Sequence, residues 1–210
     1  MSLQGDLEAE LAAQWVGQTD GAHDIWHIRR VWASCQRIAD ALGQPVDRQV
    51  LMIAAYLHDV INLAKDDPRR RHAAQMSADH AVGWMAVRDL PGREAVAHAI
   101  LGHSYSAGHP CDTLEAQVLQ DADRLEALGA IGIARCFCVA GQMGAGLVDG
   151  HDPLAEARPL DDRRFALDHF EVKLFGVADT LNTAPARAMA AERVAVMRAF
   201  QAALAREGAV

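Results

Sequence analysis

Eight consecutive residues, Val50 to Leu57, carry no charge and are followed at once by His58-Asp59. A helix that is apolar on every side has to be covered all round, so this segment is expected to run through the centre of the fold. The doublet then sits where burial is deep, and an unpaired carboxylate there is costly. Asp59 therefore needs a partner: an Arg or Lys, backbone amides, or a metal ion, which imidazole and carboxylate bind together readily. Neighbours on a helix point ~100° apart, so two adjacent ligands meet one ion only at the helix edge. Further ligands must come from other helices.

The rest of the chain supplies those helices. Apolar residues recur at steps of three and four, while strand-type alternation is almost absent. A first helix is expected over Leu7 to Val16. A second starts at an Asp24 N-cap, carries Ile28, Val31, Cys35, Ile38 and Leu42 on one stripe, and ends at Gly43 and Pro45. Asp47 caps the central helix. Asn62 to Arg71, charged and containing Pro68, reads as a loop. Further helices are expected over Ala73 to Val87, Glu94 to His103, and Thr113 to Leu128 continuing as Ile131 to Ala140. Two more stripes follow, Leu167, Phe170, Leu174, Val177 and Leu181, then Val194, Met197 and Leu204 after Pro185. The Gly-rich run Gly141 to Gly150 lacks the Gly-Lys-Ser/Thr ending of a phosphate loop and reads as a connection. The expectation is an all-α protein, one domain over 1–210, with core motifs in 23–135 and C-terminal helices in 165–207.

Candidate ligands follow from the same periodicity. His27 lies one turn before Val31, on the side that carries the apolar stripe; His23, a further turn back, makes an i, i+4 pair with it or faces water. On the helix with stripe Leu114, Val118, Leu125 and Leu128, counting 100° per residue turns Asp121 inward and Asp123 nearly opposite. Leu119, Ala122 and Ala130 give Asp123 a second apolar face, so spacing leaves both carboxylates open. His103 turns inward with Val96 and Ile100, either as a core histidine or as a substrate contact. His72, His80, His98, His109, His151 and His169 show no pattern that singles them out.

A formal net charge of -8 repels a nucleic-acid duplex but is compatible with a small phosphate-bearing substrate beside a bound cation. Cys35, Cys111, Cys136 and Cys138 form no paired Cys-x-x-Cys units and are read as buried or inert thiols. Met1 to Glu10 has no apolar run of the signal-peptide kind and no stretch reaches membrane-spanning length; a reducing cytoplasm is the expected setting.

His-Ile-x-Arg-Val at 27–31, Leu-His-Asp at 57–59 and Asp-Ala-Asp-Arg-Leu at 121–125 together resemble the HD-domain metal-dependent phosphohydrolase superfamily. More narrowly, 23–27, His-Ser-Tyr-Ser at 103–106 and the stretch 119–135 look like its YpgQ/YedJ-like branch. The resemblance implies an HD-domain-like orthogonal helical bundle. It also implies one divalent ion (Mn, Mg, Co or Ni), with a second compatible, held by His27, His58, Asp59 and Asp123. The last assignment runs against the periodicity count, which leaves Asp121 as the rival. Lys65 and Arg124 are the implied partners of substrate phosphate, with His103 beside them. The implied substrate is a nucleotide and the implied reaction phosphate-bond hydrolysis, with pyrophosphate release from a triphosphate as the specific form. A nucleotidase, a phosphodiesterase or a non-catalytic nucleotide-sensing module is the alternative. Many relatives carry an acid three or four positions past the doublet, where this chain has Ile61 and Asn62, so no catalytic acid is assigned. A homodimer is compatible with the sequence, which does not fix the oligomeric state.

Overall fold

The computed structural model describes residues 2–17, 24–63, 67–104 and 108–210; His23 and Lys65 lie outside the described residues. The protein is all-α: among the described residues there is no strand, and Gly146 and Phe165 form an isolated bridge. The chain divides into two compact units, Met1–Asp123 and Arg124–Val210. Among the described residues no single helix is long and apolar enough to cross a membrane.

In the first unit, α1 (Leu3–Gln14), α2 (Ile25–Ala41), α3 (Arg48–Leu57), α4 (Ala73–Val87), α5 (Arg93–His103) and α6 (Leu114–Leu125) follow in order. The Asp24 and Asp47 caps form as their chemistry requires. Asp24 Oδ1 accepts from the His27 amide at 2.8 Å, and Asp47 Oδ1 from the Gln49 and Val50 amides at 3.0 Å each, which satisfies donors that the first helical turn leaves orphaned. Helix α3 is indeed central, packing on α1, α2, α4 and α5. Apart from Met52 its apolar run is buried, and each fully buried Leu or Ile contributes ~1.5–3 kcal/mol. On α2 the stripe Ile28, Val31, Cys35 and Ile38 is fully buried, and Gly43 closes the helix with φ +66, a conformation that only glycine adopts without strain.

Polar contacts fasten α1 to its neighbours. The Arg29 guanidinium on α2 donates through Nε and Nη2 to the two oxygens of Glu8 at 2.9 and 2.7 Å, and the Tyr56 hydroxyl on α3 donates to Glu8 Oε1 at 3.3 Å. Chiefly through the Arg29 hydrogen bonds, the Glu8 pKa falls from 4.5 to about 2. A depressed carboxylate stabilises the fold above its unfolded pKa, and that contribution disappears as pH falls through the folded value. Urea midpoints measured against pH should therefore fall between 4.5 and about 2, and less steeply in Glu8→Gln. Identical slopes for the two proteins would show that Glu8 carries none of the acid sensitivity.

The second unit contains α7 (Gly129–Gln142), a π-helical turn at Phe170–Leu174 that passes directly into α8 (Phe175–Ala178), and α9 (Ala184–Gly208). Two sequence expectations are corrected here. Helix α6 stops at Leu125 instead of running to Leu128. The Ala127 and Leu128 amides bond back to the Arg124 and Leu125 carbonyls in tight three-residue turns, Leu128 is extended, and Gly129 takes φ +72. The expected regular helix from Leu167 to Leu181 is instead the π turn plus one α turn. Its apolar spacing is nevertheless used, since Leu167, Phe170, Leu174 and Leu181 are buried. Phe170 packs on Phe137, Phe175 and Phe200, with ring centroids 6.0–6.3 Å apart.

The thiols also differ from expectation in one respect. Cys35 is buried, and burial first, then the charges of Asp123 and Asp121, push its pKa well up; Cys136 is pushed up to about 11, chiefly by burial. Cys138, however, is exposed.

Candidate metal centre

Helix ends place the polar residues of the first unit. His58 is the C-cap of α3, with Asp59 next in the chain; His103 is the last residue of α5; Asp123 lies in the final turn of α6; His27 lies in the first turn of α2. Helix C-termini carry partial negative charge. Three of them, joined by two carboxylates, make this end of the unit suited to a cation.

His58 Nδ1 lies 2.9 Å from the Ala55 carbonyl, and His103 Nδ1 lies against the Ile100 carbonyl. A carbonyl only accepts, so Nδ1 carries the proton in each ring and Nε2 presents a lone pair. This is the arrangement in which a backbone carbonyl orients a metal-binding imidazole. Burial, reinforced by the neighbouring His58, lowers the His103 pKa and keeps the ring neutral.

These lone pairs converge. His27 Nε2 lies 3.5 Å and His58 Nε2 3.8 Å from Asp123 Oδ1; His58 Nε2 lies 3.6 Å from Asp59 Oδ2, and His103 Nε2 3.8 Å from Asp59 Oδ1. Such gaps are longer than hydrogen bonds. They fall within the ~3.0 to ~4.2 Å that separates ligand atoms each ~2.1 Å from one ion. Two overlapping trios result, His27/His58/Asp123 and His58/Asp59/His103, within which the donor atoms lie no more than 4.8 Å apart. His58 belongs to both. Its Nε2 is buried with no hydrogen-bond partner among the described residues, a cost that a native interior rarely tolerates without a ligand.

The structure thus brings together His27, His58, Asp59, Asp123 and His103. Asp121 is fully buried, as periodicity required, but it stands in neither trio; the half-buried Asp123 does. Arg124 belongs to the second unit, where its Nη1 donates to the Thr180 carbonyl at 2.6 Å. Ser77 Oγ accepts from the Ile61 amide at 3.2 Å, and the Trp15 indole donates to the Val60 carbonyl at 3.1 Å, so the segment after the doublet is held on both sides. Neither contact was legible in the sequence, nor was the place of Glu8 beside Arg29 and Tyr56. Partners 16 to 48 residues apart leave no local spacing signal.

The chain belongs to the HD-domain family, whose profile, described as HD domain, matches residues 25–128. Within that family it is similar to YpgQ of Bacillus subtilis strain 168, at 32% identity over 202 residues, covering 92% of this chain and 90% of the relative. The solved structure of B. subtilis YpgQ in complex with ADP is similar at TM-score 0.71 and 30% identity, covering 96% of this chain and 97% of that one. An HD-superfamily hydrolase from Bacillus thuringiensis gives TM-score 0.72 at 28% identity, covering 98% of both chains.

Proposed function

We propose that this protein is a metal-dependent phosphohydrolase acting on nucleotides, with pyrophosphate release from a nucleoside triphosphate as its specific reaction. The observation that carries the reading is the convergence of lone-pair-bearing imidazoles and carboxylates in two trios that share His58. The proposed ligands are His27, His58, Asp59 and Asp123, a nitrogen and oxygen set suited to Mn²⁺, Mg²⁺, Co²⁺ or Ni²⁺. Bound there, such an ion supplies Lewis acidity toward a phosphoryl oxygen and makes water a stronger acid. The remaining work falls to the chain. His103, whose Nε2 lies 3.8 Å from Asp59 Oδ1, is the proposed substrate contact beside the ligands. Arg124 and Lys65 are the proposed cations for substrate phosphate, each offering charge-assisted donors to a phosphate oxygen. A nucleotide substrate is supported by the ADP in the YpgQ crystal structure.

Chelator-treated protein resupplied with Mn²⁺ is expected to convert triphosphates to monophosphate and pyrophosphate in a panel of tri-, di- and monophosphates and cyclic nucleotides. Release of orthophosphate from monophosphates alone would favour the nucleotidase reading, and no turnover of any member would overturn the enzymatic one.

A further inference from the structure

Glu8 stands outside the trios, yet it touches both histidine-bearing helices close to their ligands. Arg29, which it holds through two hydrogen bonds, lies two residues after His27 on α2. Tyr56, which it also holds, lies two residues before His58 on α3. On the same helix α1's C-terminal side, the Trp15 indole fixes the Val60 carbonyl, one residue past Asp59. Helix α1 itself supplies none of the clustered donors, and its apolar anchorage is limited to Leu7 and Leu11. Glu8 and Trp15 thus reach the segments that present His27, His58 and Asp59, while Glu10 pairs with His80 on α4 at 2.9 Å.

We propose that Glu8 is a positioning residue for the metal centre: through Arg29 and Tyr56 it sets the separation of α2 and α3, and with it the separation of the His27 and His58 ring nitrogens. The inference rests on the metal reading above. An ion needs its donors within a few tenths of an ångström of their bonding distance, whereas two packed apolar helix faces tolerate sliding. A carboxylate gripping one side chain from each helix, a short step from each ligand, removes that freedom. Loss of the charge on Glu8 weakens both Arg29 bonds and leaves the helix cores packed.

The test is Mn²⁺ binding by calorimetry on wild type, Glu8→Gln, Arg29→Gln and Tyr56→Phe, under conditions where urea titration shows each protein to be fully folded. Glu8→Gln and Arg29→Gln are expected to lower Mn²⁺ affinity by up to ~10-fold, no more than the lower end of what losing a partner bonded directly to a ligand costs, and Tyr56→Phe by less. If Glu8→Gln does not fold, the other two variants still test the two arms separately. Unchanged affinity in folded variants, with only the urea midpoint lowered, overturns the positioning role and leaves the metal reading intact. A wild type that binds no Mn²⁺ overturns both.

Discussion

Asp123→Ala is expected to lose divalent-metal binding and phosphohydrolase turnover together, while Asp121→Asn keeps both. Asp123 Oδ1 faces His27 and His58 at 3.5 and 3.8 Å, so its removal deletes the oxygen donor of one trio; Asp121 is buried outside both trios. A metal ion is worth several kcal/mol to a phosphoryl transition state. About 4 kcal/mol corresponds to ~10³ in rate, and turnover in Asp123→Ala should fall by at least that order. Elemental analysis beside a nucleotide assay reads both quantities on the same samples. Metal retained in Asp123→Ala and lost in Asp121→Asn would reverse the assignment.

Asp168→Ala is expected to be the most destabilising single change in the second unit. Asp168 is 3% exposed, and its carboxylate accepts from Arg158 Nη1 and Nη2 at 2.6 and 2.8 Å and from the Asp161 amide at 2.7 Å. The same guanidinium donates through Nε to the Asp152 carbonyl at 3.1 Å and lies 4.7 Å from the centre of the Phe165 ring. Removing the carboxylate of a buried ion pair costs up to ~3–5 kcal/mol; here Asp149, 3.8 Å from Arg158 Nε, and the Pro159 carbonyl partly compensate the guanidinium, so the lower end is expected. Equilibrium urea unfolding gives the number directly. A change within ~0.5 kcal/mol, the range of an ordinary surface substitution, would mean that water replaces the carboxylate without cost.

The comparison of Asp121 with Asp123 shows where sequence reading reaches its limit. Helical periodicity reports which side of a helix is buried, and it placed Asp121 inside, where it is. It does not report which residue points along the axis toward a cluster at the helix end, and Asp123 does that from a half-buried position in the last turn of α6. Resemblance carried that information because a family motif records the function of a position as well as its burial. The central helix was legible for the opposite reason: eight uncharged residues in a row permit one environment. Two helix starts were equally plain, since Asp24 and Asp47 each accept from amides of the turn they open. The ends of α6 and the π turn at Phe170 were not. The first depends on a left-handed Gly129 and on Gly132, where an added Cβ would clash with the Ala127 carbonyl oxygen. The second keeps the apolar spacing of an ordinary helix and changes only which carbonyl each amide reaches.

The convergence of three helix C-termini beside Asp59 and Asp123 has a kinetic corollary. Carbonyl ends and carboxylates are of the same sign as a polyphosphate tail, and like charges at close range repel. A nucleotide arriving before the cation meets that repulsion, and one arriving after it meets attraction. For the proposed chemistry, helix ends and carboxylates together thereby favour the cation before the nucleotide, ahead of any contact with base or sugar.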